Sequence, residues 1–125
     1  MKEQSASDVA TRWMFAVVGG DYDAAVALSS SSIVYRLGEI RTYIGHEGVH
    51  DIAVDFGRLA GFLDVSIEGE VLESDGVVAL RRLERYLLPS GGIEIRGCSF
   101  VEVTDGLVSR WSDYKSLATL DRIAG

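Results

Sequence analysis

From Leu63 onward the apolar residues of this chain recur at every second position, and short turn signals cut the pattern into segments. A period of two sends alternate side chains to opposite faces of an extended strand, so this half folds as a sheet with one dry face. In the first segment Leu63, Val65, Ile67 and Val71 alternate with Asp64, Ser66, Glu68 and Glu70. Asp75-Gly76, then Pro89-Ser90-Gly91-Gly92, then Thr104-Asp105-Gly106 are each short enough for an antiparallel hairpin. They predict further strands over about 77–88, 93–104 and 107–116.

The first half has a different period. Val9, Ala10, Trp13, Met14 and Val17 recur at helical spacing behind Ser5 or Ser7, either of which can cap the helix, and Gly19-Gly20 ends it. A short second helix is predicted from Asp21 to about Leu28. Ser29 to Ser32 read as a polar break before a strand at Ile33–Leu37, whose Ile33, Tyr35 and Leu37 share a face. After a loop from Gly38 to Gly45, residues Val49, Ile52, Ala53, Phe56, Leu59 and Ala60 mark a third helix ending near Gly61. Helices gathered before a meander define an α+β domain, with the helices on one face of a bent sheet. At 125 residues, without repeat or linker, the chain reads as a single domain, 1–125.

Twelve basic against nineteen acidic residues leave a net charge of −7, a field that opposes nucleic acid and anionic lipid. Cys98 is the only cysteine, and the polar start Met1 to Ser7 lacks the apolar core of a secretory signal. No apolar run approaches the roughly 20 residues that span a bilayer. A soluble cytoplasmic protein, with neither nucleic-acid nor membrane partners, is the expectation.

The charged residues interrupt the dry face. On the strand from Val77, one row reads Val78, Leu80, Arg82, Glu84, Tyr86, Leu88; on the last strand Leu107, Ser109, Trp111, Asp113, Lys115 and Leu117 share a face. Unpaired buried charge costs several kcal/mol, so Arg82, Glu84 and Asp113 must pair inside or face a polar cavity. A solvated pair on an edge strand, with Asp113 near a strand end, accounts for the same spacing.

These segments resemble the limonene-1,2-epoxide hydrolase family, within the SnoaL-like and nuclear-transport-factor-2-like folds. Arg82-Leu83-Glu84 matches that family's Arg-x-Asp, and Asp105 to Tyr114 matches its stretch ending Trp-Arg-Asp-Tyr; Tyr35-Arg36-Leu37 stands at its Tyr-x-Asn. The resemblance runs from the first helix to about Leu117. It implies a strongly curved, mixed and mostly antiparallel sheet forming a cone, closed by three helices, in a homodimer. It also implies one-step addition of water to an apolar or bulky epoxide, without metal or organic cofactor. Carried over, Asp113 takes a proton from water, Glu84 protonates the epoxide oxygen, Arg82 bridges the two and Tyr35 helps to hold the water. Two carboxylates around one guanidinium sum to −1, so one shared proton is expected, giving one acid and one base near neutral pH. Glu84 is a methylene longer than the family's Asp, and Leu37 replaces a water-binding Asn. The Leu37 change is what an epoxide-opening cyclase or isomerase, whose nucleophile belongs to the substrate, would tolerate. A non-catalytic small-molecule-binding module is the third reading. By the same face argument Ile33, Leu37, Tyr86, Ile95 and Gly97 are expected in the pocket wall, with Gly97 leaving room for substrate and Trp111 near the floor.

Three other signals carry less. His46-Glu47-Gly48-Val49-His50 satisfies H-E-x-x-H, but lies at a helix start with no third ligand in view. The steroid-isomerase relatives of this fold place a carboxylate where this chain reads Tyr35-Arg36-Leu37. Arg81 and Arg85 form a basic stripe on a solvated or dimer-facing surface, and Cys98 falls opposite Ile95 and Gly97.

Overall fold

The computed structural model describes residues 5–59 and 61–115. Helix α1 is Ala6–Val18 and α2 is Tyr22–Ala27; strands β1 (Ser29–Leu37) and β2 (Arg41–Ile44) precede α3 (Gly45–Gly57). Four long strands follow: β3 (Phe62–Ser74), β4 (Val77–Leu88), β5 (Gly91–Thr104) and β6 (Leu107–Lys115). The sheet runs β2-β1-β6-β5-β4-β3, antiparallel throughout except where β1 lies parallel to β6. The first and last strands are thus neighbours, and the helices cover the face they share. This is the mixed, mostly antiparallel α+β architecture expected.

Two of the hairpins turn as their dipeptides dictate. Asp75-Gly76 and Asp105-Gly106 all have positive φ, between 51° and 78°, the conformation of a two-residue turn whose twist matches the strands it joins. Ser5, rather than Ser7, caps α1 by accepting from the Asp8 amide at 3.1 Å; Ser7 reaches across to Glu73 on β3. All five apolar residues of the α1 stripe are buried. Trp13 stacks on Trp111 of β6 with ring centroids 4.7 Å apart and packs beside Tyr35 of β1 at 6.0 Å.

Four boundaries differ from expectation. Ser29 to Ser32 belong to β1, because the ladder with β6 begins at Ser29 and outweighs the weak strand preference of serine. The Ser29 hydroxyl is buried and satisfied twice, accepting from Trp13 Nε1 at 2.8 Å and donating to the Ala25 carbonyl at 2.6 Å. The expected loop 38–45 contains β2, which pairs back on β1 through Arg41, Thr42, Tyr43 and Ile44. Helix α3 begins and ends earlier than predicted, with Arg58 as its C-terminal cap; Ala60, Ser116 and Leu117 lie outside the described residues. Finally Leu63 is exposed and Phe62 turns inward against Phe56 and Tyr86, because the β3–β4 register shifts between Phe62 and Asp64. A second shift, between Glu68 and Leu72, interrupts the same strand, and such bulges bend a sheet.

Candidate active site

The row Val78, Leu80, Arg82, Glu84, Tyr86 faces the core without a break, so both charged side chains are buried beneath the helices. The edge-strand alternative fails: β4 lies between β3 and β5. The register then brings Asp113 to them, since Ser99 of β5 pairs with both Leu80 of β4 and Asp113 of β6. Arg82 Nη2 donates to Glu84 Oε2 and to Asp113 Oδ2, each at 2.9 Å. One guanidinium nitrogen therefore bridges the two carboxylates.

Asp113 is fully engaged. Oδ1 accepts from Ser99 Oγ at 2.5 Å and from Trp111 Nε1 at 2.6 Å, and Oδ2 accepts from Arg82 and from the Tyr35 hydroxyl. These four donors match the four lone-pair directions of a carboxylate. Ser99 was invisible as a partner in the sequence, although it is the polar residue in an inward row otherwise made of Ile95, Gly97 and Val101. Trp111, expected near a pocket floor, instead packs in the main core and orients Asp113.

Lys115 changes the electrostatics. It follows Asp113 by two residues on the same face, and its Nζ donates to Glu84 Oε2 at 2.6 Å from a side chain only 4% exposed. Tyr86 closes the other side, donating to Glu84 Oε1 at 2.6 Å. With two cations against two carboxylates the buried cluster sums to zero, not −1, and the shared proton expected from three charges is not required. Burial pushes Glu84 upward, but Lys115 and then Arg82 outweigh it and hold the carboxyl below its ordinary value. Asp113 is likewise raised by burial and brought below its ordinary value by Arg82 and Lys115, helped by Ser99 and Tyr35. Burial, and behind it the Asp113 charge, holds the Tyr35 hydroxyl well above its usual range, so it stays protonated.

A pH dependence follows. Carboxyls whose folded pKa lies below the unfolded value contribute stability that is complete above about pH 4 and lost as pH falls through the folded values. Protonating both would strand Arg82 and Lys115 as buried, unbalanced cations. The thermal midpoint is therefore expected to be flat from pH 7 to about 5 and to fall steeply below about 4, more gently in Asp113→Asn. A wild-type profile as flat as that of the variant would count against the assignment.

A cavity of about 320 Å³ lies between β1, β2 and α3, walled by Leu37, Tyr43, Ile52 and Phe56. Only Tyr35 and Lys115 of the buried network reach it; Arg82, Glu84 and Asp113 stand behind them. Arg41 and Asp55 form an ion pair at 3.0 Å on its lining, and Tyr43 donates to the same Asp55 oxygen at 2.6 Å. Burial and then Asp55 raise the Tyr43 hydroxyl to about 12.

Of the six residues expected to contact substrate, Leu37 lines this cavity. Ile33 and Trp111 belong to the main core, and Tyr86 and Ile95 form a smaller cluster with Phe62 and Leu59. Gly97 does not line this cavity and is packed against the neighbouring strand: a Cβ there would lie 2.7 Å from the Tyr114 carbonyl oxygen and 3.3 Å from Lys115 Cβ. The two histidines of H-E-x-x-H are both on α3 but engage different neighbours, His46 the Ser29 carbonyl at 3.1 Å and His50 the Tyr22 ring. Among the described residues no three His, Cys, Asp or Glu side chains gather as metal ligands would. Arg85 pairs with Asp64, and Cys98 sits with Arg81 and Tyr114 on the outer face of the sheet.

The fold is one that known proteins share. The model of the SnoaL-like domain matches residues 10–111, and the chain belongs to that family. Comparison with curated proteins gives no match. Among solved structures, a nuclear-transport-factor-2-like protein from Burkholderia xenovorans superposes with a TM-score of 0.80 at 16% identity, covering 100% of this chain and 99% of its own. An LEH-like epoxide hydrolase from M. tuberculosis gives 0.75 at 19% identity, with 94% and 86% covered. A SnoaL-like protein from Shewanella putrefaciens, proposed as a polyketide cyclase, gives 0.77 at 12% identity, with 98% and 87% covered. Likeness at these identities establishes a shared fold. Proteins that share it are described as an epoxide hydrolase in one case and a candidate polyketide cyclase in another.

Proposed function

We propose that the protein is an epoxide hydrolase that adds water in one step to an apolar epoxide. The observation that carries this reading is the buried Tyr35–Asp113 pair, bridged through Arg82 to a second carboxylate and opening on an apolar cavity. At about 30 Å³ per water-sized group, the cavity suits a substrate of roughly ten non-hydrogen atoms or slightly more. Asp113 has no free lone pair and does not line the cavity, so it acts on water through Tyr35. The Tyr35 oxygen accepts a proton from the attacking water as the hydroxyl proton passes to Asp113 Oδ2. The water oxygen bonds to an epoxide carbon while the C–O bond breaks, and the released oxygen must receive a proton from a second group facing the cavity.

Leu37 supports a second reading. It lines the cavity two residues beyond Tyr35 on the same strand and can neither donate to nor accept from a water. If the nucleophile is a hydroxyl of the substrate, the same relay drives an epoxide-opening cyclisation. Turnover of a terpene and aryl epoxide panel in ¹⁸O-labelled water separates the readings. Hydrolysis gives diol with one labelled oxygen, made at least about 100-fold more slowly by Asp113→Asn. Unlabelled cyclic product would identify the cyclase, and no conversion would favour a binding module.

We also propose that the protein forms a homodimer through the outer face of the sheet, where Leu72, Phe100 and Tyr114 are exposed. Sedimentation is expected to give twice the 13.6 kDa chain mass at micromolar concentration, and a monomer there would remove the proposal.

A further inference from the structure

We infer that Lys115, rather than Glu84, is the group that hands a proton to the substrate oxygen, with Glu84 as a positioning residue behind it. The inference deepens the epoxide reading and rests on it for the reaction, but the donor site itself rests on geometry. Glu84 does not line the cavity, and its two oxygens receive three hydrogen bonds, from Tyr86, Arg82 and Lys115. All three partners are donors, so the carboxylate is held in its acceptor form and has no proton to give. Lys115 is the reverse. It lines the cavity, and among the described residues its ammonium makes one hydrogen bond, to Glu84. An ammonium has three N–H groups. The neighbour on the cavity side is the Phe56 ring, with its centroid 5.6 Å from Nζ, a cation–π contact weak enough to give way to an oxygen acceptor.

The surroundings favour release of that proton. Burial, and then the Arg82 charge, bring the Lys115 amine below its ordinary value against the opposing pull of Glu84 and Asp113. The charged and titratable groups around it are Arg82 and Glu84 on β4, Asp113 on its own strand and Tyr35 on β1, with the Arg41–Asp55 pair and Arg58 elsewhere on the cavity lining. Gly97 belongs to the same device: lacking a side chain, it lets β6 lie close against β5 where Lys115 enters the site.

The step balances. As water attacks carbon and its proton moves through Tyr35 to Asp113, the breaking C–O bond leaves an oxygen that takes a proton from Nζ. The product is the diol, Lys115 becomes a neutral amine and Asp113 a neutral acid. The buried cluster sums to zero before and after, and proton exchange with solvent restores both groups. Asp113, held low, would be a weak base acting alone. Coupling its protonation to release at Lys115 avoids building net charge in a dry interior, where charge is most costly.

The test has a binding arm and a turnover arm, with folding of each variant checked by circular dichroism. Cyclohexanecarboxamide, an unreactive probe whose carbonyl oxygen stands in for that of the epoxide, is titrated while the Lys115 ¹⁵Nζ resonance is followed. The expected result is a shift of that resonance and an affinity at least about tenfold weaker in Lys115→Met, the loss of one hydrogen bond to a charged donor. A probe that does not bind, that leaves the resonance unmoved, or that binds both proteins equally overturns the donor site. In the turnover arm Lys115→Arg keeps the charge but, as a guanidinium that stays protonated, cannot yield the proton. It is expected to lower kcat by about 10²–10⁴-fold with little change in KM. Glu84→Gln is expected to retain an alkaline limb in its pH profile, moved to lower pH because the carboxylate no longer holds the ammonium. Loss of that limb in Glu84→Gln together with full turnover in Lys115→Arg would return the role to Glu84. If the binding arm stands and the wild type converts no epoxide, the reaction assigned above fails and the donor site survives it.

Discussion

Arg82→Met is expected to cost about 3–5 kcal/mol of folding stability, read as a lower urea midpoint, because it removes one partner of a buried charge set and leaves the others in place. The single nitrogen Nη2 contacts both carboxylates, and both are about 1% exposed. Without it Lys115 is the one cation left to the two carboxylates among the described residues, and the buried cluster sums to −1. Arg85 supplies the control on the same strand. Its pair with Asp64 is formed by side chains about half exposed, and such pairs contribute little. Arg85→Met is therefore expected to leave the midpoint almost unmoved. Equal midpoints for the two variants would mean that the buried network is not held as described.

Tyr35→Phe is expected to do the opposite: to lower turnover by about 10²–10⁴-fold while leaving stability nearly intact. The ring keeps its packing against Trp13 at 6.0 Å and its edge contact with Tyr43 at 5.7 Å. Asp113 loses one of four donors and retains Arg82, Ser99 and Trp111. What is lost is the hydroxyl that connects this carboxylate to the cavity. Kinetics on whichever epoxide the wild type converts, beside a denaturation curve, tests both halves. Turnover in Tyr35→Phe within a few-fold of the wild type would show that water reaches Asp113 by another route.

The contrast between these two side chains also explains what was readable in advance. The alternation of Val78, Leu80, Arg82, Glu84 and Tyr86 shows in the sequence alone that two charges occupy an apolar face, because a strand has a fixed period of two. The Trp111–Asp113 spacing places a third group on the matching face of another strand. The convergence of the two rows was not readable, since it depends on register across β4, β5 and β6. Lys115 stands in the same row as Asp113, yet its contact with Glu84 crosses two strand spacings and depends on the reach of a flexible side chain. Beyond Leu37, the cavity wall is not legible in the sequence, for a different reason. Tyr43 is presented by β2, a four-residue strand without a strong pattern of its own, and Ile52 and Phe56 by a helix whose docking no local spacing specifies. At Leu63 the period-two rule itself failed, because a bulge adds a residue and reverses every side chain before it.

The parallel contact of β1 with β6 bears on when the site can exist at all. Tyr35 and Asp113 are 78 residues apart, and β1 gains its second neighbour only when the last strand arrives. A ribosome that has released residues 1–106 has produced α1 to α3 and the β3–β5 meander, but no strand to fill the place between β5 and β1. Such pairings between distant segments close late because their loop entropy must be overcome first. During synthesis the inward row of β1, with Ile33 and Tyr35, therefore waits beside an open sheet edge, the arrangement most exposed to pairing with another chain. The buried Tyr35–Asp113 pair and the seam that completes the sheet are assembled in one event.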